Sequence, residues 1–127
     1  MLLSLHHIQL AMPKGGDARA RSFFAGILGL TEVEKPNALA SRGGLWFEHG
    51  AIRLHLGIDE PFTPARKAHP AFQVVSLATI ITWLEETNVA YRTDIALPGV
   101  RRIYVDDPFG NRIELLEVLP TPPPAPP

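Results

Sequence analysis

Two short segments of this chain repeat one residue pattern, and the repeat limits the folds that are open to it. The first segment is Arg53–Leu56, with the sequence RLHL, and the second is Arg112–Leu115, with the sequence RIEL. Each lies near the end of one half of the chain, and each half begins near a histidine, His7 or His69. Equivalent segments at equivalent places are typical of one supersecondary unit built twice, with the two copies sharing a core.

Hydrophobic periodicity predicts the same order of elements, βαβββ, in both halves, which makes the fold α+β. The predicted strands of the first half cover residues 5–12, 31–34, 45–48 and 52–58, and its helix covers residues 17–28. Those of the second half cover residues 71–75, 89–93, 102–105 and 112–118, and its helix runs from a cap at Ser76 to Asn88. We therefore expect one domain, residues 1–119, made of two modules (3–58 and 69–118) that residues 59–68 join. Residues 120–127, which include six prolines, are predicted to be a flexible tail.

Alternation along the strands places four polar side chains on the sheet face that the helices leave uncovered: His7, His55, His69 and Glu114. A solvated polar face is one interpretation of this pattern. The other is a shared metal site, because the four positions are equivalent in the repeat. Three imidazoles and one carboxylate form a set of nitrogen and oxygen donors that suits a divalent transition metal.

Composition excludes several classes of function. The chain has 127 residues with a formal net charge of −1 and no basic cluster, so no nucleic-acid partner is expected. It contains no cysteine, which excludes disulfides, thiolate nucleophiles and zinc–thiolate sites. No segment approaches the length of apolar sequence that a membrane span requires, and the N-terminal sequence is a poor signal peptide. We expect a soluble, cytoplasmic protein with no membrane partner.

Three motifs give the chain a family resemblance that covers residues 3–118. They are HIQLA at 7–11, Phe23 followed by LGL at 28–30, and above all DPFGNRIEL at 107–115. With these motifs the chain resembles the vicinal oxygen chelate superfamily. That superfamily includes glyoxalase I, fosfomycin-modifying enzymes, bleomycin resistance proteins and extradiol dioxygenases.

The resemblance implies a glyoxalase-like fold, in which the two βαβββ modules form a cup-shaped half barrel around a divalent metal ion. The family's ligand positions match His7, His69 and Glu114. His55 stands at the place of a fourth ligand, which is usually glutamate in glyoxalase I-like members. The metal would be Zn, Ni, Mn or Fe, and family habit implies a homodimer.

The function that follows is a glyoxalase-like, metal-dependent enzyme of the lyase, isomerase or transferase type. It would chelate a small, oxygen-rich, anionic metabolite, with Glu114 as the catalytic proton acceptor. Four further side chains that alternation directs into the cup are predicted to bind the substrate: Arg102, Tyr104, Trp46 and Gln9. A surface position for Arg102, cavity lining for the aromatic residues and a cross-strand hydrogen bond for Gln9 are the structural alternatives.

Two other functions remain open on the sequence. An iron-dependent extradiol dioxygenase would use His7, His69 and Glu114 as a facial set of ligands. A metal-free protein of the bleomycin resistance kind would instead bind or sequester a drug-like ligand, and the histidines would then be incidental.

Overall fold

The structure is a computed structural model that describes residues 1–121 and 123–127. One residue of the predicted proline-rich tail, Pro122, lies outside the described residues. The chain divides into two compact units. The first consists of Met1–Ala68 with Asp107–Arg112, and the second of His69–Asp106 with Ile113–Pro127. Each unit contains one sheet and at least one helix, so the predicted α+β class is confirmed.

The first unit contains a four-stranded sheet whose strands were all predicted. They are β1 (Ile8–Met12), β2 (Thr31–Val33), β3 (Leu45–His49) and β4 (Ile52–Ile58). Their spatial order is β1-β4-β3-β2, with β1 parallel to β4 and the other pairs antiparallel. The first strand begins at Ile8 instead of Leu5, so His7 precedes it.

The helix of the first unit differs from the regular α-helix that the apolar stripe predicts. Helix α1 covers Asp17–Ala20 and continues as a π-helix over Arg21–Ile27. The wider turn is visible in the hydrogen bond from the Leu28 amide to the carbonyl oxygen of Phe23, five residues back. Phe23 and the adjacent Phe24 are both buried. A second short helix, α2 (Asn37–Ala40), was not predicted.

The second unit contains a three-stranded sheet and a ten-residue α-helix. Its elements are β5 (Ala71–Gln73), α3 (Leu77–Glu86), β6 (Val100–Asp106) and β7 (Arg112–Val118), and the strand order is β5-β7-β6. Ser76 caps α3 as predicted, because its side-chain oxygen accepts a hydrogen bond from the Thr79 amide at 3.2 Å.

The predicted strand over residues 89–93 is wrong. These residues are all described, and their only sheet contact is an isolated antiparallel bridge between Arg92 and Tyr104. The cause is the end of α3: Asn88 adopts a left-handed conformation (φ 59°), and the Val89 amide donates to the Leu84 carbonyl at 2.8 Å. This helix-closing hydrogen bond uses a backbone group that a strand would need.

In β1, β4 and β7, apolar residues of the face predicted to pack under the helices are buried. Leu10, Leu54, Leu56, Ile113 and Leu115 are all at least nine-tenths buried. The opposite face is less uniform than a solvated surface would be. His7 is exposed, whereas His55 and Glu114 retain only 7% and 8% of their accessible surface.

The Asp107–Asn111 turn belongs to the first unit and is held by a buried amide. Asn111 donates from Nδ2 to the Ala11 carbonyl and to Asp107 Oδ2, both at 2.8 Å. Its Oδ1 accepts from the Ala65 amide at 2.9 Å, and Asp107 Oδ1 accepts from the amides of Phe109 and Asn111. These hydrogen bonds fix the turn that leads into β7.

Candidate functional site

The first unit brings together two of the predicted ligands, His7 and His55, with the aromatic side chain of Trp46. Strand β4 places His55 opposite Trp46 of β3 and opposite Gln9 of β1. The indole of Trp46 is parallel to the His55 ring, with 3.9 Å between ring centroids. The His7 ring stacks on the other side at 4.4 Å. His55 is buried because an aromatic ring covers each of its faces.

This environment lowers the pKa of His55. Burial is the largest cause, because it disfavours the charged imidazolium. The neighbouring charges of His7, His6 and Lys35 act in the same direction, while Glu48 opposes them. His55 therefore stays neutral near pH 7, which is the form that has a ring-nitrogen lone pair for a metal ion.

The lowered pKa predicts that acid destabilises the metal-free protein partly through His55. The unfolded chain binds the His55 proton near the ordinary pKa of about 6.5, before the folded protein does. The stabilisation that the neutral His55 gives to the folded protein is fully present above that pH and is lost as the pH falls through the folded-state pKa. We expect urea unfolding, with EDTA present, to show a smaller pH dependence for His55→Gln than for the wild type. The exposed His49→Gln should keep the wild-type pH dependence, and equal dependence in all three proteins would contradict the prediction.

His6 forms a hydrogen bond with one ring nitrogen of His7. The two Nδ1 atoms lie 3.0 Å apart, so one ring donates and the other accepts. Such an outer contact leaves Nε2 of His7 as the nitrogen that remains for a ligand. Gln9 lies on β1, and its side-chain amide covers Gly57, where an added Cβ atom would lie 2.4 Å from Gln9 Nε2.

The second unit brings together the other two predicted ligands and two predicted substrate-binding residues. Glu114 lies in the middle of β7, opposite Ala71, and its amide donates to the Pro70 carbonyl at 3.0 Å. This register positions His69, whose Nε2 lies 2.9 Å from Glu114 Oε1. The ring of Tyr104 meets the His69 ring edge to face at 5.4 Å.

Arg102 completes this polar cluster. Its Nη1 donates to the hydroxyl of Tyr104 at 2.5 Å and lies 3.9 Å from Glu114 Oε1. Its side chain is only 13% exposed, so the alternative of an ordinary surface arginine is wrong. The buried Glu114 carboxylate therefore has an imidazole at hydrogen-bonding distance and a guanidinium close by as polar partners.

The four candidate ligands thus occur as two pairs, His7 with His55 in the first unit and His69 with Glu114 in the second. Within residues 1–121 and 123–127, no group of three or more histidine, aspartate or glutamate side chains is arranged to hold a metal ion. The donor chemistry of the two pairs suits a divalent transition metal. A single four-ligand site stays a prediction.

Sequence patterns missed two residues that contact or influence these clusters. Lys35, beside the short helix α2, is close enough to His55 to affect its pKa. Asp94 lies 3.5 Å from Arg102 Nη2 and follows the predicted strand that does not form. Neither residue belongs to a strand, so alternation gave no signal for them.

Neither a family model nor a curated protein matches the chain. Solved protein structures, in contrast, do match the chain. A glyoxalase family protein from Bacillus anthracis is 40% identical over 93% of this chain and 97% of its own length, with a TM-score of 0.90.

Two more distant structures share the fold. A glyoxalase/dioxygenase from Nostoc punctiforme is 24% identical over 92% of each chain, with a TM-score of 0.74. The fosfomycin resistance protein FosX from Listeria monocytogenes is 18% identical over 92% of this chain and 94% of its own, with a TM-score of 0.73. At these identities the likeness concerns architecture alone. Because the Bacillus anthracis relative is similar in sequence over nearly its whole length, the chain belongs to the glyoxalase family of the vicinal oxygen chelate superfamily.

Proposed function

We propose that this protein is an enzyme that uses a divalent metal ion to bind a small, oxygen-rich, anionic metabolite. Its reaction would be of the lyase, isomerase or transferase type. The observation that carries the proposal is the cluster in the second unit, where the buried Glu114 carboxylate contacts His69 and lies close to Arg102. Ionisable side chains gathered in this way are typical of functional sites.

The proposed ligands are the imidazoles of His7, His55 and His69 and the carboxylate of Glu114. The neutral state of His55 supports its inclusion, since a protonated ring cannot ligate. A bound divalent metal supplies Lewis-acid chemistry toward two adjacent substrate oxygens. Three neutral imidazoles and one carboxylate leave the loaded site with a net positive charge, which favours an anionic substrate.

Glu114 is proposed as the residue that accepts the substrate proton. Its Oε1 is within hydrogen-bonding distance of His69 Nε2, a contact that orients the carboxylate, and the proton would be held on the carboxylate itself. Arg102 is proposed to bind an anionic group of the substrate, because a guanidinium pairs bidentately with a carboxylate. Tyr104, Trp46 and Gln9 are proposed to contact the rest of the molecule.

Metal analysis of the full chain, purified without a histidine tag, tests this function. We expect about one divalent ion per chain after dialysis against trace metal, as a single shared site requires. Negligible metal in the folded protein would contradict the proposal and favour metal-free ligand binding. Bound iron with catechol-dependent oxygen uptake would instead favour the extradiol dioxygenase function.

Assembly and cellular location stay predictions. The homodimer is proposed from family habit, and exposed apolar residues at the N-terminus are compatible with a protein partner: Met1, Leu2, Leu3 and Leu5. None of the helices among residues 1–121 and 123–127 is long and apolar enough to span a lipid bilayer.

A further inference from the structure

The guanidinium of Arg102 has unused donor capacity in a buried position. Of its five N–H groups, those on Nη1 serve Tyr104 and face Glu114. Nη2 donates to the Ile95 carbonyl at 3.2 Å. Nε is buried and has no hydrogen-bond acceptor among the described residues. A buried hydrogen-bond donor without an acceptor costs free energy of folding, so the lack of an acceptor at Nε needs an explanation.

The edge of the guanidinium formed by Nε and Nη2 is the one that carboxylates bind with two parallel hydrogen bonds. Asp94 approaches this guanidinium without making such a pair. Its Oδ2 lies 3.5 Å from Nη2, beyond a good hydrogen bond, while its Oδ1 accepts from the Ile95 amide at 2.7 Å. The side chain of Asp94 is 46% exposed. The contact is therefore weak and open to replacement.

The segment that carries Asp94 is held by few contacts. Residues 93–99 contain no strand or helix, and all of them are exposed. Ile95 keeps 77% of its accessible surface and Leu97 keeps 46%, so neither anchors the segment in a core. A segment with so little buried apolar area opens locally at small cost in free energy.

We propose that Asp94 and the Ile95 carbonyl occupy the place of a substrate carboxylate on Arg102. A ligand carboxylate would displace them and take both Nε and Nη2, so Asp94 sets the affinity of the site for carboxylates. This inference rests on the proposed role of Arg102 in substrate binding. Because the Glu114 carboxylate already faces Nη1, the favoured ligand carries a single negative charge: a small monocarboxylate, of which pyruvate is the probe.

Titration of the full chain with pyruvate tests the inference, with the Nε–Hε NMR signal of Arg102 as the readout. Each variant is titrated with EDTA present and again after loading with Zn²⁺. We expect Asp94→Asn to bind pyruvate about fivefold more tightly than the wild type, the factor that loss of a competing pair worth about 1 kcal/mol gives. The Arg102 Nε–Hε signal should move downfield as the new hydrogen bond forms.

The matched control is Asp106→Asn, which removes the same charge from an acid that pairs with Arg92 instead. It should bind pyruvate like the wild type. Adding Arg102→Lys to Asp94→Asn should remove the gain, because lysine keeps the charge but lacks the two-donor edge. Equal gains in both aspartate variants, or no pyruvate binding to Asp94→Asn, would overturn the inference. Since the EDTA series requires no metal, its outcome is separate from that of the metal analysis.

Discussion

Replacement of Glu114 by glutamine is expected to cause the largest functional loss of any single change in this protein. The substitution keeps the side-chain shape and a hydrogen-bonding partner for His69, so the fold should survive. It removes the one anionic ligand of the proposed site. We expect divalent-metal affinity to fall by more than the roughly 10- to 100-fold that loss of an outer-shell partner costs. Competition with a metal-sensitive dye measures the change.

The control for Glu114→Gln is Glu86→Gln, at the exposed end of α3. It removes the same carboxylate without touching a proposed ligand, and it should leave metal affinity unchanged. His69→Gln should weaken binding together with Glu114→Gln, because both residues belong to one pair. Wild-type metal affinity in Glu114→Gln would remove Glu114 from the ligand set and would contradict the proposed four-ligand site.

Asn111→Ala is expected to cause a large loss of stability. The amide is 1% exposed, and its removal leaves the Ala11 carbonyl and the Ala65 amide without their side-chain partner. It also removes a donor to the buried carboxylate of Asp107. Because each buried polar group left unsatisfied costs about 1 to 3 kcal/mol, we expect a loss of about 3 to 5 kcal/mol in the free energy of unfolding. Urea denaturation measures this quantity.

The control is Asn37→Ala, which removes a side-chain amide of the same kind from an exposed residue. It should change the free energy of unfolding by less than about 0.5 kcal/mol. Asn111→Asp is a sharper test of the geometry. It preserves the acceptor for Ala65 but places a second carboxylate where Nδ2 lies 2.8 Å from Asp107 Oδ2. It should therefore also be strongly destabilising. A loss below about 1 kcal/mol in Asn111→Ala would show that the turn holds without this amide.

Sequence periodicity predicted those elements whose residues share a buried face. Strands β4 and β7 match their predicted bounds, because apolar residues alternate along β4 and through the first part of β7. Helix α3 begins after Ser76 as its capping side chain predicts. In each case the local pattern and the buried face agree, and such agreement makes a prediction from sequence dependable.

The elements that the sequence did not predict depend on backbone hydrogen bonds that side-chain patterns do not record. The π-helix at Arg21–Ile27 keeps the same apolar stripe as an α-helix, so periodicity cannot tell the two apart. The predicted strand over 89–93 has suitable residues, but the end of α3 takes the amide of Val89. Backbone competition of this kind becomes visible only in three dimensions.

The candidate site was predictable to the extent that strands position it. Alternation placed Trp46, His55, Arg102 and Glu114 on the faces where they are found, because each lies within a strand. It could not show that Trp46 and His7 enclose His55, since stacking depends on side-chain rotamers. Asp94 lies in an irregular segment, where the sequence has no periodicity from which the direction of a side chain can be predicted.

The parallel contact between Trp46 and His55 gives the chain an intrinsic optical reporter. Indole emission is sensitive to charge and to metal ions in van der Waals contact with the ring, and here the contacting group is a titratable imidazole. The only other tryptophan, Trp83, lies on α3 in the second unit and is 41% exposed. In a Trp83→Phe background, the remaining fluorescence would report directly on the protonation or ligation of His55.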